Sequence, residues 1–294
     1  MVLYVKTRSM TKTELIDFLR KKPSYLKKGK KYLSNMFNMK QADCAEALRK
    51  VKEEKGFITS TVIKKKTLSS KSPSPFLNGN PNNILVIGDL HEPFCLQGYL
   101  EFCRKIQEKM NCGSVLFIGD IIDNHYSSYH ETDPDGFSAG EELDRAIAKI
   151  ADWYKTFPKA TVVIGNHDRL VHRKAYSAGV SERWIRKYHE VLDTPNWKFV
   201  ENIEIDEINF NHGEGGTARS KMKNEIQSQV QGHFHNQAYI EYAVGPTSRI
   251  FGMQVGCGVD RKAYAMAYGK NFKKPVISCG TVSEGIPQLH PMML

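Results

Sequence analysis

The spacing of apolar residues changes character once along this chain. Up to residue 56 they recur at helical intervals: Leu15, Phe18 and Leu19, then Tyr32, Leu33, Met36 and Phe37, then Cys44, Leu48 and Val51 ahead of Gly56. Lys21-Lys22-Pro23 breaks the first run, because proline cannot continue a helix, and Asn38 reads as the N-cap of the third. Three helices are therefore predicted in a small all-α unit over residues 1–63. Residues 64–83 are rich in Lys, Ser, Pro, Gly and Asn and read as a linker. From Ile84 the pattern becomes short apolar runs separated by amphipathic stretches, which predicts an α/β domain over residues 84–294.

Charge follows the same division. The 294 residues carry a net +10, but residues 1–80 hold 19 Lys+Arg against 6 Asp+Glu, whereas residues 81–294 hold 23 against 26. Any affinity for a polyanion is thus expected of the front end. There, the short turn between Phe37 and Gln41, the bases Arg49, Lys50, Lys52 and Lys55 on the last helix, and Phe57-Ile58-Thr59 as a wing strand predict a helix-turn-helix domain whose final helix enters a DNA major groove. A solvated basic extension packed on the body is the competing reading. With 40% hydrophobic and 25% charged residues the chain is neither fibrous nor wholly disordered. Six cysteines without a CxxC pair suit reduced thiols. Met1–Arg8 lacks a signal-type apolar core and no run is long enough for a membrane span, so a cytoplasmic protein with no membrane partner is expected.

The chemistry is concentrated where apolar runs end. ILVI leads into Gly88-Asp89-Leu90-His91, SVLFI into Gly119-Asp120 and on to Asp123-Asn124, and TVVI into Gly165-Asn166-His167-Asp168. INFN leads into His212-Gly213, and QVQ into Gly232-His233-Phe234-His235. Each is a strand pattern followed by a turn glycine or a ligand-type side chain, so these groups are expected to gather at one edge of a sheet. Carboxylate, imidazole and amide without thiolate suit Mn, Fe or Zn, and so many groups imply two divalent ions, with Asp120 as the bridging carboxylate.

The ordered set D-x-H, GDxxDN, GNHD, a lone His before Gly, and GHxH resembles the calcineurin-like metallophosphoesterases over about residues 84–235. The resemblance implies a two-sheet β-sandwich flanked by helices. It implies that Asp89, His91 and His235 hold one metal, that Asp120 bridges, and that Asn166, His212 and His233 hold the other. His167 would act as general acid on the leaving group with Asp123 as its orienting partner, while a metal-activated hydroxide attacks phosphorus. The stretch GCGVDRKAYAMAYGK and the tail IPQLHPMML resemble phage and prophage members of the family with a helical front end, which would place the protein in a host cytoplasm.

Three functions follow as expectations. The first is a phosphodiesterase or nuclease acting on nucleic acid, DNA above RNA, with the basic front end delivering substrate. The second is a phosphomonoesterase or protein phosphatase, although GNHD and GDxxDN stand here where the family's Ser/Thr phosphatases read GNHE and GDxxDRG. The third is a DNA-binding regulator whose phosphoesterase body only senses or scaffolds. Around the motifs, His125 is expected to face substrate, His130 to be inert, Arg169 either to reach a phosphate or to cover surface, and Trp153, Trp184 and Trp197 to pack in the core or at its rim and not to serve as base-stacking platforms. The runs SRIFGMQVG and KPVISCG are expected to complete the second sheet.

Overall fold

The computed structural model describes residues 10–54, 79–129, 133, 135–263 and 274–293. The chain divides into two compact units, within Met1–Thr61 and Val62–Leu294. Met1–Arg8, Lys55, the wing strand expected at residues 57–59, most of the expected linker, His130 and residues 264–270 of the glycine-rich stretch lie outside the described residues.

In the first unit, α1 (Lys12–Lys21) opens on a capping box. The Glu14 carboxylate accepts from the Thr11 N–H at 2.8 Å while Thr11 Oγ1 accepts from the Glu14 N–H at 3.3 Å. Pro23 starts a 3-10 turn, and α2 (Lys30–Phe37) and α3 (Gln41–Glu54) follow. Asn38 does not cap α3. It closes α2 in the left-handed region at φ 48, its N–H on the Ser34 carbonyl. Asparagine favours both roles, because its short amide tolerates that backbone as readily as it caps a helix start. Leu15, Leu19, Leu33, Phe37, Cys44 and Val51 form the core between the helices, which leaves Arg49 and Lys50 exposed on α3.

The second unit holds β1 (Asn80–Ile87), α4 (Tyr99–Lys109), β2 (Cys112–Phe117), α5 (Ala139–Thr156), β3 (Thr161–Val163), α6 (Leu170–Ser177), α7 (Tyr188–Val191), β4 (Lys198–Val200), β5 (Asn202–Ile205), β6 (Ile208–Asn211), α8 (Ala218–Glu225), β7 (Ser228–Gln231), β8 (Tyr239–Val244), β9 (Arg249–Gln254), β10 (Ser278–Ser283) and β11 (Ile286–Pro291). The strands make a six-stranded sheet, β11-β10-β1-β2-β3-β4, and a five-stranded sheet, β5-β6-β7-β9-β8. The second half of β1, residues 84–87, is an unbroken apolar run because both of its faces are buried. Leu85 and Ile87 pack with Tyr99 of α4 and Trp153 of α5, whereas Ile84 and Val86 pack with Phe210, Val230 and Met253 of the other sheet. This is the expected two-sheet sandwich with flanking helices.

The KPVISCG run corrects one expectation. It forms β10 in the first sheet, antiparallel to β1 with Thr281 opposite Leu85, and only SRIFGMQVG supplies the second sheet, as β9. The cause is the path between them: Cys257 bridges both Asp89 and Ile277, which carries the chain from the end of β9 back beside β1.

Candidate metal centre

β1, β2 and β3 run parallel in one sheet, and β6 and β7 run parallel in the other. Their C-terminal ends therefore meet, and the motifs come from two sheets where the sequence suggested the edge of one. Asp89 and His91 follow β1, Asp120 follows β2, Asn166 and His167 follow β3, His212 follows β6, and His233 and His235 follow β7.

Two groups of ligand-type atoms result. In the first, His235 Nε2 lies 3.1 Å from both His91 Nε2 and Asp89 Oδ2. In the second, His212 Nε2 lies 3.0 Å from Asp120 Oδ2, 2.9 Å from Asn166 Oδ1 and 3.2 Å from His233 Nδ1. Asp120 Oδ2 is also 3.6 Å from His91 Nε2, so this carboxylate stands between the groups. Ring nitrogens that face one another cannot all be satisfied by protons, and the buried Asp89 Oδ1 has no hydrogen-bond partner. An all-nitrogen-and-oxygen set of this kind fits divalent cations.

The other end of each ring is held. His91 Nδ1 lies 2.5 Å from Asp123 Oδ1, and His212 Nδ1 donates to the Ile118 carbonyl at 3.0 Å, which turns both Nε2 lone pairs inward. Burial would raise the Asp120 carboxyl, but the imidazoles of His212, His167 and His91 hold it well below the ordinary aspartate range. Burial with the neighbouring His167 lowers His91, and burial with His212 lowers His233. At His212 the Asp120 carboxylate outweighs burial and raises the pKa.

Backbone geometry is specialised here. His91, Asp120 and His233 adopt φ of 50, 49 and 68, a left-handed conformation uncommon outside glycine and one that clusters at functional sites. Two of the turn glycines are steric requirements: a Cβ on Gly165 would sit 2.1 Å from Asp120 Oδ1, and one on Gly232 the same distance from Asp89 Oδ1.

Asp168, the last letter of GNHD, received no role from the sequence and has a large one. Its carboxylate accepts from the N–H groups of Gly165 at 2.8 Å, Asp120 at 2.9 Å, Ile121 at 3.1 Å and Ile122 at 3.3 Å, tying two motif loops together. Burial, reinforced by Asp120, pushes its pKa up to about 6. Glu142 of α5 was also missed; it accepts from the His125 N–H at 2.6 Å and the Tyr126 N–H at 3.1 Å. Nothing in the spacing signals a carboxylate that holds the backbone of a loop sixteen to forty-eight residues earlier in the chain.

His167 Nδ1 is 2.6 Å from the main-chain carbonyl of Asp123 and 3.4 Å from its carboxylate, and Asn124 Nδ2 donates to the His167 carbonyl at 2.9 Å. Burial lowers the His167 pKa and the carboxylates of Asp120 and Asp123 more than restore it. His125 is buried. Arg169 covers surface: it donates to the Ile164 carbonyl and pairs with Glu201 and Glu214. Trp153 and Trp197 are core residues, but Trp184, at the end of the 3-10 turn Glu182–Trp184, which buries none of its residues, is 85% exposed, against expectation.

A family model described as calcineurin-like phosphoesterase matches residues 83–248. Among solved structures, the chain is similar to vacuolar protein sorting 29 from Cryptosporidium parvum, at 14% identity and TM-score 0.36 over 71% of this chain and 96% of that one. It is similar to YfcE, a phosphoesterase from E. coli, at 13% identity and TM-score 0.33 over 69% and 88%. It is similar to the Pseudomonas putida nuclease MPE, at 12% identity and TM-score 0.31 over 71% and 86%. No curated protein matches the chain. Among the described residues, no helix is long and apolar enough to cross a membrane. The family match spans more than half of the chain and takes in all five motifs, and with it the chain belongs to the calcineurin-like phosphoesterases, metal-dependent hydrolases of phosphoesters.

Proposed function

We propose that this phosphoesterase cleaves phosphodiesters of nucleic acid, DNA above RNA, using two divalent cations, manganese by preference. The observation that carries the two-cation reading is Asp120, a buried carboxylate that lies between two imidazole-rich groups and touches both. In this reading Asp89, His91 and His235 hold one cation, Asn166, His212 and His233 the other, and Asp120 is shared. When bound by these residues, divalent cations would neutralise charge at phosphorus and would supply an activated water.

The chain's own residues do the rest. His167 donates from Nδ1 to the Asp123 carbonyl, which fixes the ring and leaves Nε2 to carry the proton that the leaving-group oxygen receives. Asp123 serves twice, through its carbonyl on His167 and its carboxylate on His91. Asp168 holds the loops of Asp120 and Gly165 in register, so that the reacting groups need little reorganisation. Position 124 carries an amide that anchors the His167 loop, and Arg169 is engaged by two glutamates; neither offers the guanidinium clamp that a dianionic monoester favours.

For the helical unit we propose DNA binding through α3, supported by the net +13 of residues 1–80. Replacing Arg49 and Lys50 together by alanine is expected to weaken DNA binding and flatten its salt dependence, leaving turnover of small reporters unchanged. The main reading is tested with a phosphodiester reporter and its monoester analogue in Mn²⁺, with Asp120→Asn as blank. Preferential diester turnover is expected; turnover of the monoester alone sinks the nucleic-acid reading.

A further inference from the structure

We infer that the exposed face formed by Tyr129, α6 and the turn that follows it is a stacking platform for single-stranded nucleic acid, an inference that rests on the phosphodiester reading above. Trp184 and Tyr176 are each 85% exposed and Tyr129 is 59% exposed. A single exposed ring is ordinary, but a group of exposed aromatic rings on neighbouring elements is the kind of surface that marks an interaction site. The turn that carries Trp184 is fixed at its main chain, with the Trp184 main-chain N–H on the Ser181 carbonyl at 3.0 Å and the Arg183 main-chain N–H on Ser181 Oγ at 3.4 Å.

Charge identifies the occupant. Residues 170–187 carry five basic side chains against one acidic, Glu182, within a body whose acidic residues outnumber its basic ones, 26 to 23. Cations and rings are interleaved: Arg173 and Lys174 lie 5.2 and 5.6 Å from the centre of the Tyr129 ring. An apolar protein partner has no use for those charges. A single strand uses both, since its unstacked bases offer π-faces to the rings and its phosphates meet the cations. In a duplex those faces are already stacked.

The platform adjoins the proposed chemistry. α6 begins three residues after His167, with the Leu170 N–H on the His167 carbonyl at 3.2 Å. Lys174 Nζ donates to the Ser128 carbonyl, on the loop that follows Asn124. A strand lying on Trp184 and Tyr176 would thus be presented beside the general acid.

Tryptophan emission tests this directly, because the helical unit contains no tryptophan and the other two, Trp153 and Trp197, are buried. Titrating the full chain without divalent metal with short oligothymidylate is expected to quench emission. A duplex of equal length should quench far less, and Trp184→Phe should abolish the response. In Mn²⁺, Trp184→Ala and Tyr176→Ala should each lower kcat/KM on a single-stranded oligonucleotide by about tenfold or more while small-diester turnover stays within about twofold. Unchanged emission at saturating oligothymidylate, equal quenching by duplex, or unchanged oligonucleotide cleavage by both variants overturns the platform. A blue shift with phosphatidylserine vesicles and no response to oligonucleotide assigns the face to lipid and overturns it as well. If the parent protein turns over no small diester, the phosphodiester reading fails by itself; the fluorescence titration needs no turnover and still decides the platform.

Discussion

The helical unit and the phosphoesterase body are built on opposite terms. The helices of residues 12–54 need only a pattern: apolar residues at helical spacing, a capping box at Thr11 and Glu14, and a core of interchangeable aliphatic and aromatic side chains. The body needs identities. At its strand ends a buried carboxylate between two imidazole-bearing groups, imidazoles whose Nδ1 is held, left-handed backbone at His91, Asp120 and His233, and glycines without room for a methyl group must all coincide. A region specified by pattern tolerates substitution and discloses little of its purpose, while one specified by chemistry tolerates little and discloses much.

That contrast can be broken by mutation. Asp120→Asn is expected to lower diester turnover by about a thousandfold or more, since the shared site loses its charge, while DNA binding by the helical unit is untouched. Leu33→Ala, in the first unit's core, should cost about 2–5 kcal/mol of that unit's stability in a urea titration and leave small-diester turnover intact. Loss of turnover in this variant would mean that the units are not independent. Gly165→Ala should reduce turnover about a hundredfold, because the new Cβ displaces Asp120 Oδ1, with folding retained by circular dichroism. Thr11→Ala removes one cap and should cost about 1 kcal/mol, read as a small shift in the helical unit's unfolding midpoint and nothing at the metal centre.

How much was legible in the sequence follows from the same contrast. The five motifs and the sandwich could be read because the motifs' residue types and order are distinctive and parallel strands dictate where those residues fall. Asp168 and Glu142 could not, since they act on backbone N–H groups, and a peptide N–H has no identity in a sequence. Trp184 was expected at the core or its rim because large rings are usually at least partly buried, but it stands on a 3-10 turn that buries none of its residues, which its residue type does not reveal. Asn38 and β10 were misread for related reasons: one residue type serves both ends of a helix, and an apolar run names no sheet.

Metal stoichiometry decides whether Asp120 serves two cation sites. Metal-stripped protein is dialysed against Mn²⁺ at several free concentrations, and bound metal per chain is measured by elemental analysis for the parent and for Asp120→Asn. Two ions per chain are expected in the parent, with weakened binding of both in the variant. A single ion in the parent, or two ions bound equally well without the Asp120 carboxylate, would contradict a shared Asp120.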